Sequence, residues 1–231
     1  MSTIAAIDGD IVAYRCAAAN ESEDVGIAKW QVDQMLTRIL SETQADSWKI
    51  YLSGDNNFRY QIYPDYKANR RNQPKPRHLE QLRENIVVHW NGEICDGYEA
   101  DDGLGIISRD KSRRCIICSI DKDLLQLPGF HYNFVKREFK EIDEFSGAIQ
   151  FYTQLLVGDP VDNIRGCPGI GKVKAERAFA GCNTERQLYD KCVELYKVAY
   201  KDTWEQELTR NANLLYIWRK DLDKWIIPLP Q

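Results

Sequence analysis

The sequence predicts an α/β fold in which a parallel-type central sheet is flanked by helices and followed by a helical C-terminal region. Three observations predict it. Short apolar runs at Thr3–Ile7, Trp48–Ser53 and Arg114–Ile120 each stop at an aspartate or a Gly/Asp pair. An amphipathic segment joins the first two runs. From Ser146 onward the apolar spacing turns helical. A strand, a helix and a strand in that order imply a right-handed βαβ crossover and parallel pairing.

The elements follow in order. Thr3–Ile7 is a buried strand. Val32, Met35, Leu36, Ile39 and Leu40 recur at helical spacing, which predicts a helix from Gly26 to Thr43. Trp48–Ser53 is the next strand. Tyr66–His78 carries Lys67, Arg70, Arg71, Lys75 and Arg77, Pro74 and Pro76, and no acid. It is too polar for core and too basic for a neutral loop. Ile86–His89 reads as a strand, Glu99–Ser108 as a helix, Arg114–Ile120 as a strand and Val135–Ile142 as an edge hairpin. Ile149, Tyr152, Leu155 and Leu156 form one helical face that ends at Gly158. A Gly/Pro turn, Gly166–Gly171, precedes a short helix closed by Gly181. Thr184 with Gln187, and Thr203 with Gln206, have capping-box spacing and open further helices, the last reaching Trp225. This gives an α/β core over 1–145, with a basic segment over 66–84, and a helical region over 146–231, as one compact unit.

Composition narrows the function. At 231 residues, 43% hydrophobic and 29% charged, the chain can bury a core. Lys and Arg total 31 against 35 Asp and Glu, a net charge of −4 that excludes a uniformly basic coat. An anionic partner must meet a local basic patch. No apolar run approaches the roughly 18 residues of a membrane helix. The N-terminal sequence reaches Asp8 at once and is no signal peptide. The seven scattered cysteines read as buried thiols of a reducing cytoplasm. Cys115 and Cys118 lie in an apolar strand with no second pair or nearby histidine, so they make no zinc set.

The carboxylates carry the chemistry. Asp8, Asp55 and Asp121 each follow a predicted strand, and ligands of open parallel sheets bind outside the strands' carboxyl ends. Glu99, Asp101 and Asp102 fall in the first turn of a helix. Asp121 and Asp123 are two apart, on one side of an extended chain. Asp159 and Asp162 share a face if their segment is helical. So many like charges need compensation. Hard oxygen ligands without Cys or His suit Mg²⁺ or Mn²⁺, and two such ions can clamp a phosphodiester. Taken singly, each acid also fits a helix cap or a turn.

Two basic features accompany them. Gly166–Gly171 with Lys172, Lys174 and Arg177 opens a helix and exposes backbone N–H groups to anions. It fits G-x-x-x-x-G-K, but Val173 replaces the hydroxyl residue a P-loop needs. A helix–hairpin–helix over 158–181 that grips a duplex backbone fits better. The Tyr66–His78 segment reads as a flap, with Tyr66 offering a stacking face and Lys67 and Arg70 neutralising phosphate.

From Ile7 to about Ala178 this pattern resembles the 5′-nuclease family of flap endonucleases, bacteriophage 5′–3′ exonucleases and the nuclease part of DNA polymerase I. The motifs are Ile7-Asp8-Gly9 with Arg15, Ser53-Gly54-Asp55 with Phe58-Arg59, Pro64-x-Tyr66-Lys67-Ala68-Asn69-Arg70, Glu99-Ala100-Asp101-Asp102, Ser119-x-Asp121-x-Asp123 and Gly158-Asp159-x-x-Asp162 running into Gly169-x-Gly171. The resemblance implies a PIN-like core, a short basic arch and a helix–three-turn–helix. It implies metal-dependent hydrolysis of DNA near 5′ ends, flaps, nicks or gaps, with RNA primer–DNA hybrids as further substrates. Asp8, Asp55, Glu99, Asp101 and Asp102 resemble the ligands of one Mg²⁺, and Asp121, Asp123, Asp159 and Asp162 those of a second, with Mn²⁺ as a substitute. Arg15, Lys67 and Arg70 resemble catalytic phosphate-handling residues. Arg59, Tyr66, Gly169, Gly171, Lys172 and Lys174 resemble DNA-binding residues, with K⁺ at the hairpin. The expected enzyme is a monomeric phage protein of the infected cell's cytoplasm. Asp10, where many members have Thr or Ser, and the short arch depart from the pattern.

Competing readings are a PIN-like ribonuclease, a haloacid-dehalogenase-type phosphatase suggested by Asp8-x-Asp10, and a non-catalytic DNA-binding module built on the hairpin. Only the nuclease reading uses every acidic group together with the hairpin.

Overall fold

The computed structural model describes residues 2–229; residues 1, 230 and 231, at the outer limits of the two expected regions, lie outside it. The chain opens with β1 (Thr3–Asp8) and turns at once into α1 (Gly9–Ala19). Asp8 starts that helix by accepting the Ile11 N–H at 3.0 Å. A side chain at Gly9 would put a Cβ 2.7 Å from the Tyr51 carbonyl, so glycine is what lets α1 leave the sheet this closely. Then come α2 (Val25–Thr43), β2 (Ser47–Asn57), α3 (Arg59–Ile62), α4 (Leu79–Trp90), β3 (Glu93–Gly97), α5 (Ala100–Ser108), β4 (Arg114–Cys118), β5 (Gly129–Asn133) and β6 (Glu138–Ile142).

The six strands form one sheet in the order β3-β2-β1-β4-β5-β6. All neighbours pair in parallel except β5 and β6, which form an antiparallel edge hairpin. The hairpin starts a few residues before the expected Val135. On one face Ile7, Ile50 and Leu52 pack against Val12 of α1, Val32, Leu36 and Ile39 of α2, and Ile86 of α4. On the other face Ala6, Tyr51 and Ile117 pack against Leu104 of α5.

Ile86–His89 is helix, not strand. Leu82, Asn85 and Ile86, spaced three and four apart, bury one face of α4. The strand is β3, where only Cys95 is buried and Ile94 is 55% exposed. An edge strand with so little apolar content leaves a weak sequence signal.

The helical region packs against the sheet's flank. α6 (Glu144–Val157) is capped by Asp143, which accepts the Ser146 N–H at 2.8 Å. It ends at Gly158 (φ 78°), where a Cβ would lie 2.3 Å from the Gly166 nitrogen. β7 (Gly158–Asp159) and β8 (Ile164–Arg165) form a short antiparallel bridge. α7 (Lys172–Ala178), α8 (Glu185–Tyr200) and α9 (Trp204–Leu215) follow. The Thr184–Gln187 capping box is present. The one expected at Thr203 is not: Thr203 donates to the Tyr200 carbonyl within a 3₁₀ turn.

Beyond Leu215 the chain is an irregular strap rather than helix. Hydrogen bonds to Gln126 and Asp102 help stitch it to the core. Gln126 Nε2 donates to the Leu215 carbonyl, Ile217 N–H to Gln126 Oε1, and Trp218 N–H to Asp102 Oδ1, each at 3.0 Å. All cysteines are free. Among the described residues no helix is long and apolar enough to cross a membrane.

Candidate active site

The carboxyl ends of β1 and β4 face a groove of about 860 Å³. Asp8, the last residue of β1, lies close to Asp101 and Asp121 of that groove and is only 3% exposed. One oxygen caps α1 and the other accepts the Ser119 hydroxyl at 2.7 Å. Burial, with Asp121 nearby, still pushes its carboxyl up to about 6. Asp101 enters from the first turn of α5. Burial, then Asp8, Asp121 and Glu99, raise it well above the carboxylate range. Asp121 follows β4, and its Oδ1 accepts the Asp123 N–H at 2.9 Å. That bond turns the chain into a 3₁₀ turn, Asp123–Gln126, in place of the expected extended pair. Burial and the charges of Asp121, Asp159 and Asp162 push Asp123 up to about 7. Asp159 ends β7 and Asp162 sits in the tight turn between β7 and β8, neither on a helix. Asp159 Oδ1 accepts the Val161 N–H at 2.8 Å, and both side chains line the groove.

The basic segment closes one wall. Lys67 adopts a left-handed backbone (φ 53°), and its N–H donates to the Asp162 carbonyl at 3.0 Å. Its ammonium donates to Glu99 Oε1 and lies 3.7 Å from Asp162 Oδ2. Burial would lower the lysine's pKa, but Glu99 and Asp162 outweigh it and raise it. Burial would raise Glu99, but Lys67 and Arg59 hold it below its ordinary value. Arg70 donates from Nε to the Val161 carbonyl at 3.1 Å. Its Nη2 lies 2.6 Å from Asp162 Oδ1 as a charge contact without hydrogen-bond alignment.

Asp8, Glu99, Asp101, Asp121, Asp123, Asp159 and Asp162 are thus brought together; two expected acids are not. Asp55 is exposed, forms no side-chain hydrogen bond or ion pair among the described residues, and does not line the groove. The reason is that β2 runs on to Asn57 through a bulge instead of ending before Gly54. Asp102 is fully buried and turned inward. It takes both guanidinium nitrogens of Arg59, at 2.6 and 3.0 Å, and the N–H groups of Glu99 and Trp218.

Two expected DNA contacts are corrected by the same burial. Arg59 also donates to the Leu214 and Tyr216 carbonyls, and only 3% of its side chain is exposed, so no phosphate reaches it. Tyr66 is 1% exposed, with its hydroxyl between Glu99 and Asp162 at 3.0 and 2.9 Å, so its ring cannot stack on a base. The remaining expected residues stay accessible. Arg15 is exposed on α1 one turn beyond Ile11, which lines the groove. Lys172, first residue of α7, lines the opposite wall. Gly169 (φ 74°) and Gly171 shape the turn before it, and Lys174 donates to the Gly169 carbonyl at 2.7 Å.

Divalent cations fit this groove. The donors are hard carboxylate oxygens without Cys or His. Like charges help hold Asp8, Asp101 and Asp123 above their ordinary range. Asp162 Oδ1 is buried without an aligned donor. Yet no three Asp, Glu, His or Cys side chains among the described residues stand at metal-ligand spacing. The expected tight cluster is not formed: the carboxylates are spread along the groove, with Lys67 and Arg70 paired to Glu99 and Asp162 among them.

Several groups at the site carry no assigned role in the sequence reading. Ser119 fixes Asp8, and Gln154 of α6 donates to Asp123 at 2.5 Å. Asp10 accepts Ser53 N–H at 2.8 Å and the Arg83 guanidinium. Ser119 lies two residues before Asp121, a spacing that places it beside the acids, whereas Gln154 meets Asp123 across 31 positions. Nothing local links Asp10 to Arg83.

A mostly parallel α/β sheet with several carboxylates spread along a groove at its strand ends, beside a basic wall, fits the class of metal-dependent phosphodiester hydrolases. Residues 3–151 match the family described as 5′-3′ exonuclease, N-terminal resolvase-like domain, and the chain belongs to that family of nucleases. It is 31% identical to DNA polymerase I of Geobacillus stearothermophilus, over 87% of this chain but only 26% of the polymerase. It is 28% identical to flap endonuclease Xni of Shewanella putrefaciens, over 96% of this chain and 91% of that one. The fold matches the T5 D15 protein co-crystallised with metal ions, with a TM-score of 0.65 and 15% identity, over 93% of this chain and all (100%) of that one.

Proposed function

We propose that the chain hydrolyses DNA phosphodiesters near 5′ ends and flaps, with a pair of Mg²⁺ ions held in the acidic groove. What carries this reading is that acids from α5, the turn after β4 and the β7–β8 bridge line one groove walled by Lys67 and Arg70, with Asp8 of β1 close enough for its charge to act on Asp101. Asp8, Glu99 and Asp101 would hold one ion and Asp121, Asp123, Asp159 and Asp162 the other. Bound there, the ions supply an activated water and charge stabilisation at the leaving oxygen.

The chain's own residues do the rest. Lys67 and Arg70, now paired with carboxylates, turn to the scissile phosphate once those carboxylates have another counter-charge, and stabilise its developing charge. Ser119 and the Ile11 N–H hold Asp8 in one orientation. Arg59 and Asp102 fix the first turn of α5, and with it Glu99 and Asp101. Lys172 and the turn at Gly169 and Gly171 hold duplex phosphates as a helix–hairpin–helix, with K⁺ as an aid. The similarity to proteins named flap endonuclease and DNA polymerase I supports DNA as the substrate. The fold match to a bacteriophage T5 flap endonuclease crystallised with DNA and metal ions supports a phage enzyme acting in the host cytoplasm. RNA primer–DNA hybrids and a monomeric state belong to the same proposal, as does the division at about residue 145.

The test is cleavage of 5′-labelled flapped, nicked and single-stranded DNA with Mg²⁺ or EDTA. Short 5′ products with Mg²⁺ alone are expected. Turnover of an aryl phosphate while DNA stays intact selects a phosphatase instead.

A further inference from the structure

Beyond Asp121 the acidic groove continues into a second crevice of about 610 Å³, lined by the β5–β6 hairpin and the turn after β4. The two share Ile120, Asp121, Lys122, Leu125 and Lys140, so they form one path. The crevice lies outside the carboxyl ends of β4 and β5, where open α/β sheets take ligands. Its volume falls in the range of about 300–1,000 Å³ typical of small-ligand pockets.

Its lining has more lysines than acids. Lys122, Lys136 and Lys140 line it, and none of them forms an ion pair among the described residues. Glu138 and, at the junction, Asp121 are the acids in its wall. In a chain of net charge −4, this is a local surplus of positive charge. Apolar surface lies beside it: Phe139 is 57% exposed and Val135 43%. Phe139 is not loose. Its ring rests on Tyr132 with centroids 4.6 Å apart. Tyr132 is 1% exposed and donates its hydroxyl to Glu42 of α2. An exposed aromatic ring on a rigid base, flanked by unpaired lysines, is the arrangement that binds single-stranded nucleic acid without reading its sequence.

We propose that this hairpin crevice is a subsite for single-stranded DNA, continuous with the strand lying across the acidic groove. Phe139 stacks on an unpaired base. Lys136 and Lys140 meet the phosphates on either side of it, and Lys122 stands at the junction. The inference rests on the nuclease reading and adds to it a route for unpaired nucleotides along the sheet's antiparallel edge, away from the Lys172 hairpin.

The test is fluorescence anisotropy in EDTA, where nothing is cut, with the full chain, labelled oligothymidylate and a blunt duplex. Phe139→Ala is expected to weaken oligothymidylate binding about tenfold, within the range for loss of one base stack. Lys136→Ala, on an exposed turn, is expected to lower the log–log salt slope for oligothymidylate by about 0.7. It keeps the test open if Phe139→Ala does not fold. Both variants should bind the blunt duplex as the wild type does. Unchanged oligothymidylate affinity and slope, or an equal loss on both DNAs, overturns the subsite. A parallel Mg²⁺ cleavage assay separates the two claims: if the wild type cuts DNA, such a result sinks the subsite alone, and if it neither binds nor cuts, both readings fall.

Discussion

Lys67 donates from its ammonium to Glu99 Oε1, and from its backbone N–H to the Asp162 carbonyl at 3.0 Å. One residue therefore ties the basic segment to the acidic turn of α5 and to the β7–β8 turn. The left-handed backbone at Lys67 is what lets both contacts form at once. Lys67→Ala should lower the single-turnover cleavage rate by about 10²–10³-fold, the usual loss for a group that stabilises transition-state charge. Duplex affinity in EDTA should stay within a few-fold. An unchanged rate removes Lys67 from the chemistry.

The Arg59–Asp102 pair makes a separate prediction about stability. Both side chains are almost fully buried and hydrogen-bonded, and removing one leaves the other charge uncompensated. Arg59→Ala should cost about 3–5 kcal/mol in denaturant unfolding. A combined Arg59→Met, Asp102→Leu change should cost distinctly less, because no charge is left buried. Equal losses for the two would contradict the account.

The acidic groove predicts a pH-dependent response to metal. Folding raises Asp8 from an ordinary 3.8 to about 6, and Asp123 from 3.8 to about 7. The folded chain therefore binds these protons more tightly than the unfolded one. Without metal, their contribution to stability is full below pH 3.8 and is lost as pH rises through about 6 and 7. Mg²⁺ should raise Tm more at pH 8 than at pH 5. The expected difference is about 2–4 °C per kcal/mol of linked stabilisation. Equal shifts at both pH values would contradict the placement of cations among these carboxylates.

Lys172 faces the groove from the first turn of α7 and has no ion-pair partner among the described residues. If it holds a duplex phosphate, Lys172→Ala should lower the log–log salt slope of duplex binding by about 0.9. Oligothymidylate binding in the same buffers should be nearly unaffected. A slope equal to the wild type's assigns Lys172 to the surface alone.

Legibility in the sequence followed the range of the forces involved. Strands β1, β2 and β4 are apolar runs buried on both faces, and α2 and α6 carry a regular apolar stripe, so local pattern suffices to find them. Strand β3 and the irregular strap are held by long-range contacts that leave little local trace. Each acid stands at or near an element end, and that position is what the sequence marks. Where each one points was not legible. Asp102 follows Asp101 directly, yet one turns inward to Arg59 and the other into the groove. A single residue's rotation around α5 decides this, and it depends on a guanidinium 43 positions away. Arg59 and Tyr66 misled for the same reason: charge and aromaticity suit a DNA surface as well as a buried strut, and only burial separates them.

The central claim is that carboxylates distant in sequence hold divalent ions in one groove. Anomalous scattering from Mn²⁺-soaked crystals tests it most directly. The account predicts manganese peaks coordinated by Asp8 and Asp101 and by Asp121 and Asp123, with Lys67 released from Glu99 and no peak at Asp102. Ordered crystals at saturating Mn²⁺ with no peak in the groove, or with manganese only at Asp55 on the outer surface, would contradict it.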